Sequence, residues 1–168
     1  STPLGNSAVF DYTNNDAAIT DSADDITVIE PAVTIAKTIS DLPTTGFDNS
    51  LSGLDAGDTL YYRLRLVSDG GTTAYNVTLS DTLPAVFATA SIHSVSGGFA
   101  TTDFEVTGGL VVQVNDTVNP DGIAISLGTT VDIVVEATLL ASVEAGLEFS
   151  NTNAGVDYTS LNDGNTTP

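Results

Sequence analysis

The sequence predicts an all-β fold: an immunoglobulin-like β-sandwich with an extra strand and linker at its N-terminus. Three observations lead there. Apolar and polar residues alternate in short runs, the period of a strand with one buried face. Turn pairs separate the runs, at Asp69-Gly70-Gly71, Gly97-Gly98, Gly108-Gly109, Asp121-Gly122 and Asp163-Gly164. Long helical periodicity is scarce. Many short strands with turns at regular spacing suit two packed antiparallel sheets.

The predicted strands are Ser7–Tyr12, Ile26–Glu30, Ala32–Ile39, Thr59–Val67, Tyr75–Ser80, Phe87–His93, Phe104–Val106, Leu110–Val114, Ile123–Leu127, Val131–Leu139, Leu147–Asn151 and Ala154–Tyr158. The stretch 136–146 could hold a helical turn, but the clean alternation of Val131, Ile133, Val135, Ala137 and Leu139 favours a strand followed by a loop. Asn6-Ser-Ala-Val-Phe-Asp-Tyr-Thr is similar to Asn153-Ala-Gly-Val-Asp-Tyr-Thr. The expected organisation is therefore a leading strand and Asp-rich linker over 1–29, a sandwich over 30–160, and a polar connector over 161–168. The leading strand is expected to pack on a neighbouring unit or repeat, with Ala8 and Phe10, or else Val9, filling the receiving core.

Composition removes several classes of function. The chain has 168 residues, 41% of them hydrophobic, which supports a sizeable core. Cysteine is absent, so neither a disulfide nor a thiolate is available. The net charge is −19, from 22 acidic and 3 basic residues. No basic patch can be assembled for nucleic acid or anionic lipid. Such a surface repels its own copies and attracts cations. No apolar run is long enough to cross a membrane, and no charged-then-apolar signal segment is present. An enzyme is the weakest reading, since no nucleophile, metal cage or catalytic carboxylate pair emerges. His93 is the only histidine, which argues against a zinc site and suits a surface or edge position.

Lys37 is the only lysine. It shares a parity with Val33, Ile35 and Ile39, so alternation points it inward. A buried ammonium is costly unless paired, neutralised or consumed. One reading is a strand-end lysine whose ammonium reaches water. The other is a reacting group. Asp81 lies on the apolar parity of Val77 and Leu79, and Asn151 on that of Leu147 and Phe149. Lysine, acid and asparagine facing one core are the set needed for a spontaneous isopeptide bond. Burial disfavours the charged forms of amine and acid alike. A neutral amine can then attack the carboxamide while a neutral acid polarises it, and ammonia leaves.

Four blocks carry a family resemblance: Pro31-Ala-Val-Thr-Ile-Ala-Lys37-Thr, Ala56-Gly-Asp-Thr-Leu-Tyr-Tyr62, Ala74-Tyr-Asn-Val-Thr-Leu-Ser-Asp81-Thr-Leu-Pro84, and Asn151-Thr-Asn-Ala-Gly-Val-Asp-Tyr158-Thr-Ser. Their order and spacing over about residues 30–160 resemble the tandem repeat called domain of unknown function eleven, found in long secreted and cell-surface proteins of bacteria and archaea. That repeat is similar to fimbrial and collagen-adhesin modules in which Lys and Asn, helped by an acid, form intramolecular isopeptide bonds. The resemblance implies Lys37, Asp81 and Asn151 in those roles. The family's closing strand usually reads Asn-x-Ala-x-Val-x-Tyr, which Asn6-Ser-Ala8-Val-Phe10-Asp-Tyr12 fits better than the C-terminal copy. A bulge near Thr152 would present Asn153 in place of Asn151.

The expected function is a structural repeat or subunit of an extracellular prokaryotic fibre, stalk or adhesin, whose partners are copies of itself placed head to tail. The alternative is a surface module binding carbohydrate or another ligand with the help of calcium. Carboxylates at Asp11, Asp16, Asp21, Asp24, Asp25 and Asp163 suit Ca²⁺ in chemistry, although a solvated acidic surface explains them as well. No cofactor is required. Arg63 and Arg65 lie on the parity opposite Leu60, Tyr62, Leu64 and Leu66. They should face outward, to pair locally or to dock on an acidic face of the next copy.

Overall fold

The computed structural model describes residues 3–10 and 19–162, with side chains from Thr27 to Asn162. The chain divides into two compact units after Glu30, one residue beyond the boundary that the polar connector suggested. Asp11, Tyr12, Asp16 and Asp163 lie outside the described residues.

The first unit is a two-stranded antiparallel ribbon of β1 (Pro3–Phe10) and β2 (Ile19–Thr27). Its register sets Leu4 opposite Ile26 and Phe10 opposite Ile19, with an irregularity between Leu4 and Asn6. The expected strand Ile26–Glu30 is corrected here. Pairing with β1 sets the position of β2, and Pro3 already stands opposite Thr27. Beyond Thr27 the backbone has no partner among the described residues of this ribbon, and Val28 and Ile29 are exposed. Asp21, Asp24 and Asp25 consequently belong to a strand and not to a linker loop.

The second unit is an all-β sandwich of two antiparallel sheets. One sheet has the order β3 (Val33–Ser40), β4 (Thr59–Ser68), β10 (Thr130–Leu139), β6 (Phe87–Val95). The other has the order β11 (Gly155–Thr159), β5 (Ala74–Thr82), β8 (Val111–Val114), β7 (Phe104–Thr107), with β9 (Ile123–Ile125) also paired to β5. A 3₁₀ turn over Thr101–Asp103 leads into β7. No helix among the described residues is long and apolar enough to cross a membrane.

Alternation builds the core. Leu60, Tyr62, Leu64 and Leu66 of β4 are buried, while Tyr61, Arg63, Arg65 and Val67 between them are only partly so. β10 buries Val131, Ile133, Val135, Ala137 and Leu139 beside them. Val77 and Leu79 of β5, with Val112 and Val114 of β8, complete the interior from the other sheet. Removing this much apolar surface from water is the main favourable term in folding.

Two local features set the phase of β5. Asn76 takes a left-handed backbone, with φ of 50°, and the register with β9 shifts between Ala74 and Val77. After this irregularity every second residue from Val77 to Leu83 is buried, Asp81 included. The buried Asn76 donates its Nδ2 to Thr159 Oγ1 at 2.9 Å and to the Leu161 carbonyl at 3.1 Å. It thereby ties the irregular start of β5 to the end of β11.

The expected strand Leu147–Asn151 does not form. From Leu140 to Ala154 the chain makes turns, closed by Val143 N–H to the Leu140 carbonyl and Leu147 N–H to the Glu144 carbonyl. Alternation alone supplies no backbone partner, and no described strand lies in register with this stretch.

Candidate functional site

The site is built where the first strand of the sandwich faces the second sheet. β3 runs antiparallel to β4 with Lys37 opposite Leu64. Val33 fixes the inward parity at the buried start of the strand, and Lys37 follows it. Asp81 stands on β5 opposite Val112 of β8 and is fully buried. Asn151 sits four residues before β11, on the turn-rich segment that returns the chain from one sheet to the other.

These three residues converge. Lys37 Nζ donates to Asp81 Oδ1 at 2.6 Å. Asn151 Nδ2 donates to the other carboxylate oxygen, Oδ2, at 3.3 Å. Asp81 therefore bridges the amine and the carboxamide. The Lys37 side chain is only 12% exposed. Burial draws its pKa below the ordinary lysine value, while the hydrogen bond and charge of Asp81 act the other way. Asn151 Oδ1 is buried with no hydrogen-bond partner among the described residues. Such an acceptor is unusual in a folded interior, and a half-turn of the carboxamide would exchange Nδ2 for Oδ1 against Asp81, where a protonated acid would polarise it. Asn153 is exposed, and Asp81 bonds Asn151 instead.

Aromatic rings line one side of the site, where Tyr62 and Phe149 share a groove with Lys37 and Asn151. Tyr62 packs edge-on against Phe87 with ring centroids 5.8 Å apart, and Phe87 against Phe149 at 5.6 Å. Burial, with the nearby Asp81 charge, raises the Tyr62 phenol above its ordinary pKa. This ring takes part in the environment of the site, although the sequence marks it only as a core residue. Alternation already separates it from the adjacent Tyr61, which lies on the outward parity of β4 and is only partly buried.

The remaining candidates fall elsewhere. Arg65 forms a two-pronged ion pair with Asp132 on β10, Nε to Oδ1 at 2.7 Å and Nη2 to Oδ2 at 2.8 Å. This hydrogen bond holds the Asp132 carboxyl below its usual range and the Arg65 guanidinium above its own. Arg63 stacks its guanidinium 4.5 Å from the Phe47 ring centre, and its Nε is buried. It is thus less outward than alternation suggests. His93 lies 3.4 Å from Glu136 and edge-on to Tyr61 at 5.2 Å. Asp21, Asp24 and Asp25 stand on β2, with Asp11, Asp16 and Asp163 outside the described residues. Ala8, Val9 and Phe10 stand on β1.

Compared with known protein families and curated proteins, the chain matches no family model and no curated sequence.

Proposed function

We propose that this chain is a structural unit of an extracellular prokaryotic fibre, stalk or adhesin, following its neighbours head to tail. Its sandwich is stapled by an isopeptide bond between Lys37 and Asn151, formed with the help of Asp81. The observation that carries this reading is the single carboxylate holding both the only lysine and a buried carboxamide. A merely structural ion pair needs no asparagine with a free buried oxygen beside it.

The chemistry balances within the triad. Lys37 passes one proton across the 2.6 Å hydrogen bond to Asp81, leaving a neutral amine and a neutral acid. The Nζ lone pair attacks Cγ of Asn151. Asp81 protonates the developing oxyanion, then relays a proton from Nζ to Nδ2. The Cγ–Nδ2 bond breaks, ammonia departs, and Nζ–Cγ remains as a secondary amide. As the carbonyl re-forms, the hydroxyl proton returns to Asp81 and passes to the departing ammonia, which leaves as ammonium, so that Asp81 ends as a carboxylate. The apolar wall of Tyr62, Phe87 and Phe149 keeps the amine poorly solvated, which favours its neutral form.

A covalent tie of this kind suits a protein that must survive outside the cell without cysteine. Electron microscopy and light scattering of the purified chain test the assembly. Concentration-dependent linear assemblies are expected. A strictly monomeric chain whose mass shows no lost ammonia would overturn both halves of the proposal.

A further inference from the structure

The flank of the sandwich beside Lys37 is open. β11 pairs with β5 along one edge, and no described strand pairs with its other edge. Residues 143–152, just before β11, line a groove of about 800 Å³ together with Lys37, Thr38, Ile39 and the loop 49–55. Ile39, Leu51, Leu54, Tyr62, Leu139 and Phe149 contribute its apolar wall. Leu147 is 49% exposed, although it alternates with Phe149 and Asn151 as strand residues do. A strand-like pattern without a strand, beside a free sheet edge and an apolar groove, marks a sheet that lacks one strand.

We propose that a second copy supplies this strand: its β1 pairs along the free edge of β11 and residues 147–152, and its ribbon covers the groove. This rests on the head-to-tail reading above and names the surface that receives the neighbour. Three observations select the occupant. Residues 1–30 form a compact unit of their own, whose described part is one two-stranded ribbon. Such a ribbon is marginal in water until a third strand or a covering layer joins it. Its first strand carries Asn6-Ser-Ala-Val-Phe, the start of a sequence segment, Asn6-Ser-Ala-Val-Phe-Asp-Tyr-Thr, that is close to Asn153-Ala-Gly-Val-Asp-Tyr-Thr around β11, so it resembles the pattern this sheet already accepts. The ribbon register also pairs Leu4 with Ile26 and Phe10 with Ile19, which groups apolar residues at both ends of the added strand. Strand addition satisfies both free backbone edges at once. Because donor and acceptor surfaces differ, the contact passes from each copy to the next, building a filament where the rotation between copies does not close a ring.

The test uses the full chain with the photoreactive residue p-benzoylphenylalanine at position 10. Isotopically heavy and light protein are mixed in equal amounts, irradiated, and mapped by mass spectrometry. Light-to-heavy cross-links from position 10 to residues 49–55 or 143–159 are expected. Between-copy cross-links that map elsewhere, for instance to the β6 edge, overturn this site and leave the head-to-tail reading standing. Within-chain cross-links alone, from protein that light scattering finds monomeric at every concentration, overturn both. Leu147→Asp gives a second readout, because its exposed side chain contributes little to folding. The variant should keep the wild-type melting temperature and weaken association about tenfold or more. Unchanged association would contradict the proposal.

Discussion

The Nζ of Lys37 and the Oδ1 of Asp81 lie 2.6 Å apart across the interface between two sheets, 44 residues apart in sequence. Each residue belongs to a different sheet, so only folding brings them together. The contact therefore gates any chemistry of the pair on the folded state.

Intact-mass measurement should find the folded protein lighter than its sequence by one ammonia. Lys37→Ala, Asp81→Ala and Asn151→Ala should each restore the full mass. Asn153→Ala should not, since Asp81 bonds Asn151. A wild-type mass equal to the sequence mass rules out the bond.

Removing one partner of the buried pair should be worse than removing both. Lys37→Met leaves the fully buried Asp81 without its cation and should cost about 3–5 kcal/mol. Asp81→Leu added to Lys37→Met should recover much of that loss. Chemical denaturation on an Asn151→Ala background, which cannot cross-link, isolates the electrostatic effect. No recovery in the double variant would contradict the account.

The Arg65–Asp132 pair predicts a pH dependence. The Asp132 carboxyl is held low chiefly by its hydrogen bond to Arg65, with burial opposing. A depressed folded value means that the unfolded chain binds the proton more readily. The stabilisation is therefore complete above the ordinary carboxylate pKa of about 3.9 and is lost as pH falls below it. Arg65 is 42% exposed, so water and salt limit the gain to about 1 kcal/mol at most. The urea-midpoint difference between wild type and Asp132→Asn should be steady at neutral pH and shrink below about pH 4. A difference that grows on acidification would reverse the assignment.

Gly122 and Gly128 separate backbone conformation from crowding. Both have positive φ, 77° and 78°. A Cβ at Gly122 would meet the Asn76 carbonyl carbon and the Val77 carbonyl oxygen at 2.8 Å, whereas one at Gly128 meets nothing within 4 Å. Each alanine variant pays for the left-handed conformation, about 1–2 kcal/mol. Gly122→Ala must also displace β5 backbone and should cost at least about 1 kcal/mol more in thermal denaturation. Equal losses would show that β5 yields freely at this point.

Calcium should raise the melting temperature more than sodium at matched ionic strength. The net charge of −19 responds to any salt through screening, while a bound ion adds stability by mass action. Identical responses to the two salts would leave screening alone, without a calcium site at Asp11, Asp16, Asp21, Asp24, Asp25 or Asp163.

Period-2 alternation made most of the sandwich legible in the sequence. It found β3, β4 and β10 nearly to their ends, and it gave Lys37 and Asp81 their inward parity. It failed where pairing, not pattern, decides. Leu147–Asn151 has the alternation of a strand and no partner in the described fold. Asn151 still reaches Asp81, because the turns after Leu140 deliver it there. β2 lies N-terminal to the strand expected at Ile26–Glu30 because its register is set by β1. The left-handed Asn76 carries no signal in the pattern at all, since a polar residue in a strand normally reads as outward. The choice between Asn151 and Asn153 needed coordinates, because both stand on the same parity near an expected bulge.

β3 opens the sandwich and β11 closes it, and the proposed Lys37–Asn151 bond would join the first strand to the segment just before the last. Consider a pull applied along a fibre, entering near Pro31 and leaving near Thr159. With the bond formed, tension passes from β3 through one side-chain amide to the approach of β11. The 113 residues between positions 37 and 151 are bypassed as a slack loop. The hydrogen-bond ladders of β4 through β10 then carry no load, and the unit behaves as an inextensible link whose breaking strength is that of a covalent bond.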